Sequence, residues 1–314
     1  MQSSQNQVHL PIAVLLAWLF LAAAAGADNG SIRIVCANSI LADFARNVAG
    51  DLGTVEYVMP AGVCPAHYDS RPSDIGLVAS ADVIVQIGWE GWLGKLVESS
   101  GNTAVPKIKT AGLGEWNIPE GAKAHVDRIA QGLANAFPQY ASVFEKNAED
   151  YKHRIDEKAA ELRAKVEQAG VNGSKVVCMK WQKEFVEWLG FEVVASYGPP
   201  EGLSVEQSLN VTNAAARTDV CMIVDNLQSG TEFGAKVASQ TGVSHVVLTN
   251  SPGEIPGTDT YPDMIEYNTQ QLIDGAKTYQ NKRGEISRLE DEVGRLRSER
   301  SVYQATTAIA SLLT

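Results

Sequence analysis

Positive charge is in short supply. The chain sets 26 Lys and Arg against 37 Asp and Glu, a formal net charge of −11 over 314 residues. That balance argues against nucleic acid and anionic membrane surfaces as partners, and it suits a soluble protein able to take a cationic ligand. A disulfide framework is missing too: the four cysteines, Cys36, Cys64, Cys178 and Cys221, lie far apart without scaffold spacing. The apolar run over residues 12–25 is too short to span a bilayer comfortably, and the apolar stretch over residues 305–313 is shorter still. No Gly-x-Ser-x-Gly, phosphate loop or spaced Ser/His/Asp set occurs. Nothing therefore points to an enzyme. Low-complexity tracts and a clear internal repeat are absent as well.

The run over residues 12–25 ends in Ala25-Gly26-Ala27, a small-x-small cleavage pattern followed by polar Asp28-Asn29-Gly30. This is the pattern of a secretory signal peptide over residues 1–27, with the unusual feature that no Lys or Arg precedes it. No Cys follows directly, which argues against a lipid anchor at that point. The mature chain is expected outside the cytoplasm, periplasmic or at the cell surface, and its length of about 287 residues allows two domains.

Between residues 139 and 169 there is neither Pro nor Gly, and Pro138 stands where a missing N–H costs a helix nothing. Ala141, Phe144, Ala148, Tyr151, Ile155, Ala159, Leu162 and Val166 recur at steps of three or four, one face of a helix. At about 1.5 Å per residue, the helix over residues 138–169 is a rod of roughly 48 Å. Such a rod in mid-chain joins two lobes, or else forms a coiled-coil arm. On either side, short apolar strands alternate with helices. Strands are expected over residues 31–36, 54–59 and 82–87 before the rod, and over 175–179, 192–195, 220–224 and 245–248 after it. That rhythm gives an α/β fold of two parallel-sheet lobes, residues 28–137 and 170–279, joined by one long backbone helix. Ligands of such sheets bind beyond the carboxyl ends of the strands, here in the cleft between the lobes. Residues 280–314 form a charge-rich helical extension. Its stripe of Ile286, Leu289, Val293, Leu296 and Tyr303 reads equally as a solvated helix or as a coiled-coil contact through residues 280–303.

The residues able to do chemistry cluster at expected strand ends. Cys64 and His67 form a Cys-x-x-His pair able to chelate a metal across a tight turn. Cys178 and Met179 end the strand at 175–179, Cys36 ends the first strand, and Asp225 ends the strand at 220–224. Asp259 lies in a loop rich in Gly, Pro and Thr. Cys221 reads as core, as do Cys36 and Cys178 in the plainer view that they are small buried residues at strand ends. Asp74 reads as a helix cap.

The order of elements resembles the metal-binding solute receptors of ABC importers, the zinc and manganese class with a rigid backbone helix. Residues 65–74 (PAHYDSRPSD) resemble that family's first-ligand motif, P-H-x-Y-E-P-x-P-S-D, and residues 114–119 (GEWNIP) its H-x-W-x-D-P. Lys175-Val176-Val177-Cys178-Met179 is similar to the strand ending in Ser-His or Ser-Glu. Gly257-Thr258-Asp259-Thr260-Tyr261 is similar to the segment with the last, aspartate ligand. The resemblance covers nearly all of residues 32–279. The departures fall on the ligands: Ala66, Gly114 and Met179 stand at the first three ligand positions, and Asp259 alone is retained in place.

The resemblance implies an extracytoplasmic receptor that delivers its ligand to an ABC permease in the membrane. Its metal site would be remodelled to Cys64, His67, Cys178, Met179 and Asp259, with Cys36 and Asp225 nearby. Thiolate and thioether donors favour zinc, or Cu(I), with manganese a third cargo. The same resemblance admits a receptor for a non-metal ligand or a metal chelate, or a structural, partner-binding protein. Thiolates in a metal site are expected to have depressed pKa values, and a Cys36–Cys178 or Cys64–Cys178 disulfide is the competing arrangement.

Overall fold

The computed structural model describes residues 31–110 and 116–312. The expected signal peptide and Gly114 lie outside the described residues. The first lobe contains β1 (Ile32–Asn38), α1 (Ser39–Ala49), β2 (Gly53–Met59), α2 (Pro72–Ala79), β3 (Val83–Gln86), α3 (Gly91–Ser100), β4 (Lys107–Lys109) and α4 (Pro119–Ala136). Helix α5 (Ala141–Ala169) leads to the second lobe: β5 (Lys175–Met179), α6 (Lys183–Trp188), β6 (Glu192–Tyr197), α7 (Val205–Ala215), β7 (Val220–Asn226), α8 (Glu232–Thr241), β8 (Ser244–Leu248) and α9 (Tyr261–Leu312). The strands form two parallel sheets, ordered β2-β1-β3-β4 and β6-β5-β7-β8. The two sheets share one topology although their sequences show no repeat. Strand β4 went unforeseen, because three residues (KIK) are too few for a periodic signal. None of the described helices is long and apolar enough to cross a membrane.

The expected rod is present with one adjustment. Pro138–Tyr140 winds as a 3-10 turn, and the α-helix begins at Ala141. Of the eight stripe positions, Phe144, Ala148, Tyr151, Ile155, Leu162 and Val166 are buried. They join one continuous apolar cluster that also takes residues from β1, α1, α4, β5 and the start of α9. A helix buried against both lobes in one core bends little without Pro or Gly. The polar face is tied down as well. Lys152 pairs with Asp127 of α4 at 2.7 Å, and Lys158 with Glu266 of α9 at 3.0 Å.

Each lobe lays a helix on its last strand, and a glycine permits the approach. A Cβ on Gly132 of α4 would lie 2.6 Å from the Ile108 side chain of β4, and one on Gly275 of α9 2.4 Å from Val246 of β8. Asp74 caps α2 as expected: its carboxylate accepts from the Arg71 amide and from the Tyr68 hydroxyl, both at 2.6 Å.

A single buried carboxylate joins the lobes to the connecting helix. Asp43 of α1 accepts from the Tyr151 hydroxyl of α5 at 2.6 Å and from the Tyr261 amide, the first residue of α9, at 3.0 Å. A carboxylate at a helix N-terminus is favoured by the unsatisfied N–H groups there. Burial nevertheless pushes the Asp43 pKa above its ordinary value, with the two hydrogen bonds and Arg46 opposing the shift. A raised acid pKa means that the folded state holds this proton more tightly. Its contribution to stability therefore falls as pH rises from the ordinary value of 3.8 to the raised one. Asp43→Ala should cost about 3 kcal/mol by orphaning a hydroxyl and an amide. Asp43→Asn, which keeps an acceptor oxygen, should cost less than about 1 kcal/mol and should flatten the fall above pH 3.8. Urea unfolding midpoints across the acidic range measure both.

Candidate functional site

The carboxyl ends of all eight strands face one cleft of about 490 Å³ between the lobes. From the first lobe come Asn38 at the end of β1, Met59 at the end of β2, Trp89 after β3 and Trp116 after β4. From the second come Trp181 after β5, Pro199 after β6, Asn226 at the end of β7 and Asn250 after β8. Cys64, Glu201 and Gln228 complete the wall. The lining includes three indoles, several side-chain amides, two hydroxyls, one thioether, one thiol and one carboxylate, with Ile40, Pro65 and Pro199 filling the rest. A volume in this range is that of a small-molecule site.

Direct hydrogen bonds tie the lobes together around the cleft. The Trp116 indole donates to the Asn250 carbonyl at 3.1 Å, and the Asn117 amide donates to the Asn250 side chain at 3.0 Å and the Trp181 carbonyl at 3.3 Å. From the other side Gln228 donates to the Ala61 carbonyl at 3.2 Å. Trp89 and Trp181 stay about half exposed, at 51% and 42%, so both indoles are accessible from solvent. The Lys180 ammonium lies 4.1 Å from the centre of the Trp181 ring.

The expected ligands do not converge. Cys64 begins the 3-10 turn Pro65–His67 and lines the cleft, but His67 on the same turn is exposed. Asp259 is exposed in its loop. Cys178 and Met179 are fully buried on opposite faces of β5, in two different apolar clusters. Successive strand residues point to opposite faces, so this pair cannot serve one centre. Among the described residues no three His, Cys, Asp or Glu side chains are grouped to hold a metal ion. Asp225 is likewise no ligand: wholly buried, it accepts from the Tyr197 hydroxyl and contacts His245 Nε2 at 2.7 Å. Gly234 leaves the room for that network, since a Cβ there would lie 2.1 Å from the carboxylate.

The thiols also correct the sequence reading. All four cysteines are free, so neither expected disulfide forms. Burial pushes the Cys36 and Cys178 thiols well up, and Cys221 up to about 11. A buried neutral thiol is a small apolar group.

The three cleft indoles escaped notice as site residues, although the signal was present. Each follows the carboxyl end of a strand by a few residues, where parallel sheets place their ligands. Trp89 and Trp181 follow Gln86 and Met179 closely.

The model of the family described as zinc-uptake complex component A, periplasmic, matches residues 34–275. The chain belongs to this family, the metal-binding solute receptors of ABC importers. Among the receptor's relatives, the manganese-binding lipoprotein MntA of Halalkalibacterium halodurans is 26% identical over 268 residues, spanning 79% of this chain and 89% of its own. The iron ABC transporter substrate-binding lipoprotein MtsA of Streptococcus pyogenes is 23% identical over 290 residues, with 79% and 90% covered. In fold the receptor is similar to the manganese-bound periplasmic metal-binding protein of Candidatus Liberibacter asiaticus, with a TM-score of 0.66 at 20% identity over 77% of this chain and 98% of that one. A crystal structure of ZnuA gives a TM-score of 0.67 at 18% identity over 78% and 99%.

Cys64 is the one cysteine not buried. Ellman's reagent should therefore modify one thiol per native receptor and four after unfolding. Cys64→Ser should abolish the native reaction and leave three on unfolding. Reaction of two or more thiols in the native state would contradict the burial of the other cysteines.

Proposed function

We propose that this chain is the extracytoplasmic receptor of an ABC importer whose cargo is a transition metal, and that the metal enters the cleft as a complex with a small aromatic or heterocyclic chelator. The observation behind the second clause is the cleft itself: about 490 Å³ walled by Trp89, Trp116 and Trp181. A bare zinc ion needs three or four protein ligands at about 2.0–2.3 Å, a much smaller volume. A flat chelator meets different needs. Indole faces stack on its rings. Cys64 would fill one open position on the metal, and a thiolate donor favours zinc or Cu(I) over manganese.

Export and an ABC permease partner follow the receptors this chain resembles. The rigid α5 limits hinge opening, so loading would be signalled by small shifts of the cleft loops. A bare ion held by Cys64, His67 and Asp259 after the cleft loops move is the competing arrangement.

Indole fluorescence provides the test, with zinc and manganese added alone and as one-to-one phenanthroline complexes. The zinc complex is expected to quench the cleft indoles and to bind at least about ten times more tightly than the bare ion, a difference near 1.4 kcal/mol. Trp181→Ala should remove most of that advantage. Tight binding of bare zinc, lost in His67→Ala or Asp259→Ala, would establish the bare-ion arrangement instead. If neither form binds, the metal reading fails.

A further inference from the structure

The family match ends at residue 275, yet α9 runs on unbroken to Leu312. From residue 280 to residue 305 every side chain is exposed. Four of them are large and apolar and share one stripe: Ile286, Leu289, Val293 and Leu296, at 39%, 49%, 45% and 52% exposure. Their steps of three, four and three are those of a heptad seam, with Ile286 and Val293 at the first core position and Leu289 and Leu296 at the second.

We propose that this extension pairs with the same segment of a second copy of the chain, as a parallel two-stranded coiled coil. Two independent features choose that occupant. The first is side-chain shape: a β-branched residue at the first core position with Leu at the second favours two parallel strands. The second is charge beside the seam. The three flanking positions that precede the first core residue hold Glu285, Glu292 and Glu299. An antiparallel pair would set these glutamates against one another, whereas a parallel pair sets Glu292 against Arg297 of the second copy, twice by symmetry. The Glu285 contact with Glu290 of the second copy, also made twice by symmetry, is unfavourable and lies at the lobe end of the stripe.

The geometry supplies what a short coiled coil lacks. Helix nucleation is the costly step for an isolated segment, and here α9 is already wound on the second lobe, with Tyr261, Met264, Ile265, Leu272 and Ile273 buried. Gly284 and Gly294 lie off the seam, with open space around them. Each weakens an isolated helix, which leaves the extension dependent on a partner. Parallel pairing would set two receptor bodies side by side at the base of one rod.

Sedimentation equilibrium of the purified full chain at micromolar concentrations tests this. The wild type should be a dimer, and Leu289→Asp/Leu296→Asp a monomer with unchanged circular dichroism of the lobes. Glu292→Arg should weaken the dimer by about threefold, with Arg297→Glu added to it restoring the affinity. Ile286→Cys should form an intermolecular disulfide on mild oxidation, because only parallel, in-register pairing brings residue 286 against itself. A monomeric wild type, a dimer that survives the double aspartate variant, or a dimer in which Ile286→Cys fails to cross-link would each overturn the proposal.

Discussion

A buried carboxylate with no cation in its hydrogen-bonding shell is costly unless its oxygens are well occupied. Asp43 meets that condition by drawing in donors from two distant parts of the chain, the hydroxyl of Tyr151 and the amide of Tyr261. The three residues belong to the first lobe, the connecting helix and the second lobe's last helix. Because each donor has a fixed direction, satisfying the charge fixes the angle at which the three elements meet. Phe44 packs its ring beside both tyrosines, with centroid separations of 6.3 and 5.6 Å. Polar direction and apolar packing therefore coincide at the joint.

The cleft depends on that joint. Two sheets of identical strand order point their carboxyl ends at each other, and the space between them is whatever the connecting helix allows. Since α5 is buried against both lobes, the width of the cleft is set by the core and tuned only by loops. The hydrogen bonds among Trp116, Asn117, Trp181 and Asn250 cross the opening at one side, and Gln228 and Ala61 cross it at the other.

That wall differs from an arrangement of metal ligands in a way elementary electrostatics explains. A thiol within a central parallel strand is covered on both faces, so desolvation holds the proton on Cys36 and Cys178. Asp225 meets the same environment and is kept acceptable by Tyr197 and His245. The side chains that do face the cleft come from the last strand residues and the loops beyond them, and most of them are indoles, amides and apolar groups.

Periodicity determined the elements. A stripe with no Pro or Gly had to be one helix, and short apolar runs alternating with helices had to form parallel sheets, because each pattern has a single way to bury its apolar face. The resemblance carried by residues 65–74 and 257–261 pointed to the family, and the capping role of Asp74 was legible from its neighbours alone. Which side chains meet was not. Strand alternation puts Cys178 and Met179 on opposite faces, but the outcome at each face depends on what the other lobe brings to it. The partnership of Asp43 with Tyr151 and Tyr261 spans separations of 108 and 218 residues. Sequence patterns reach only as far as one helix or strand. The cleft is made by contacts between elements, so tertiary structure alone decided that its wall is aromatic, and it chose core over ligand for Cys36 and Cys178, where the sequence admits both.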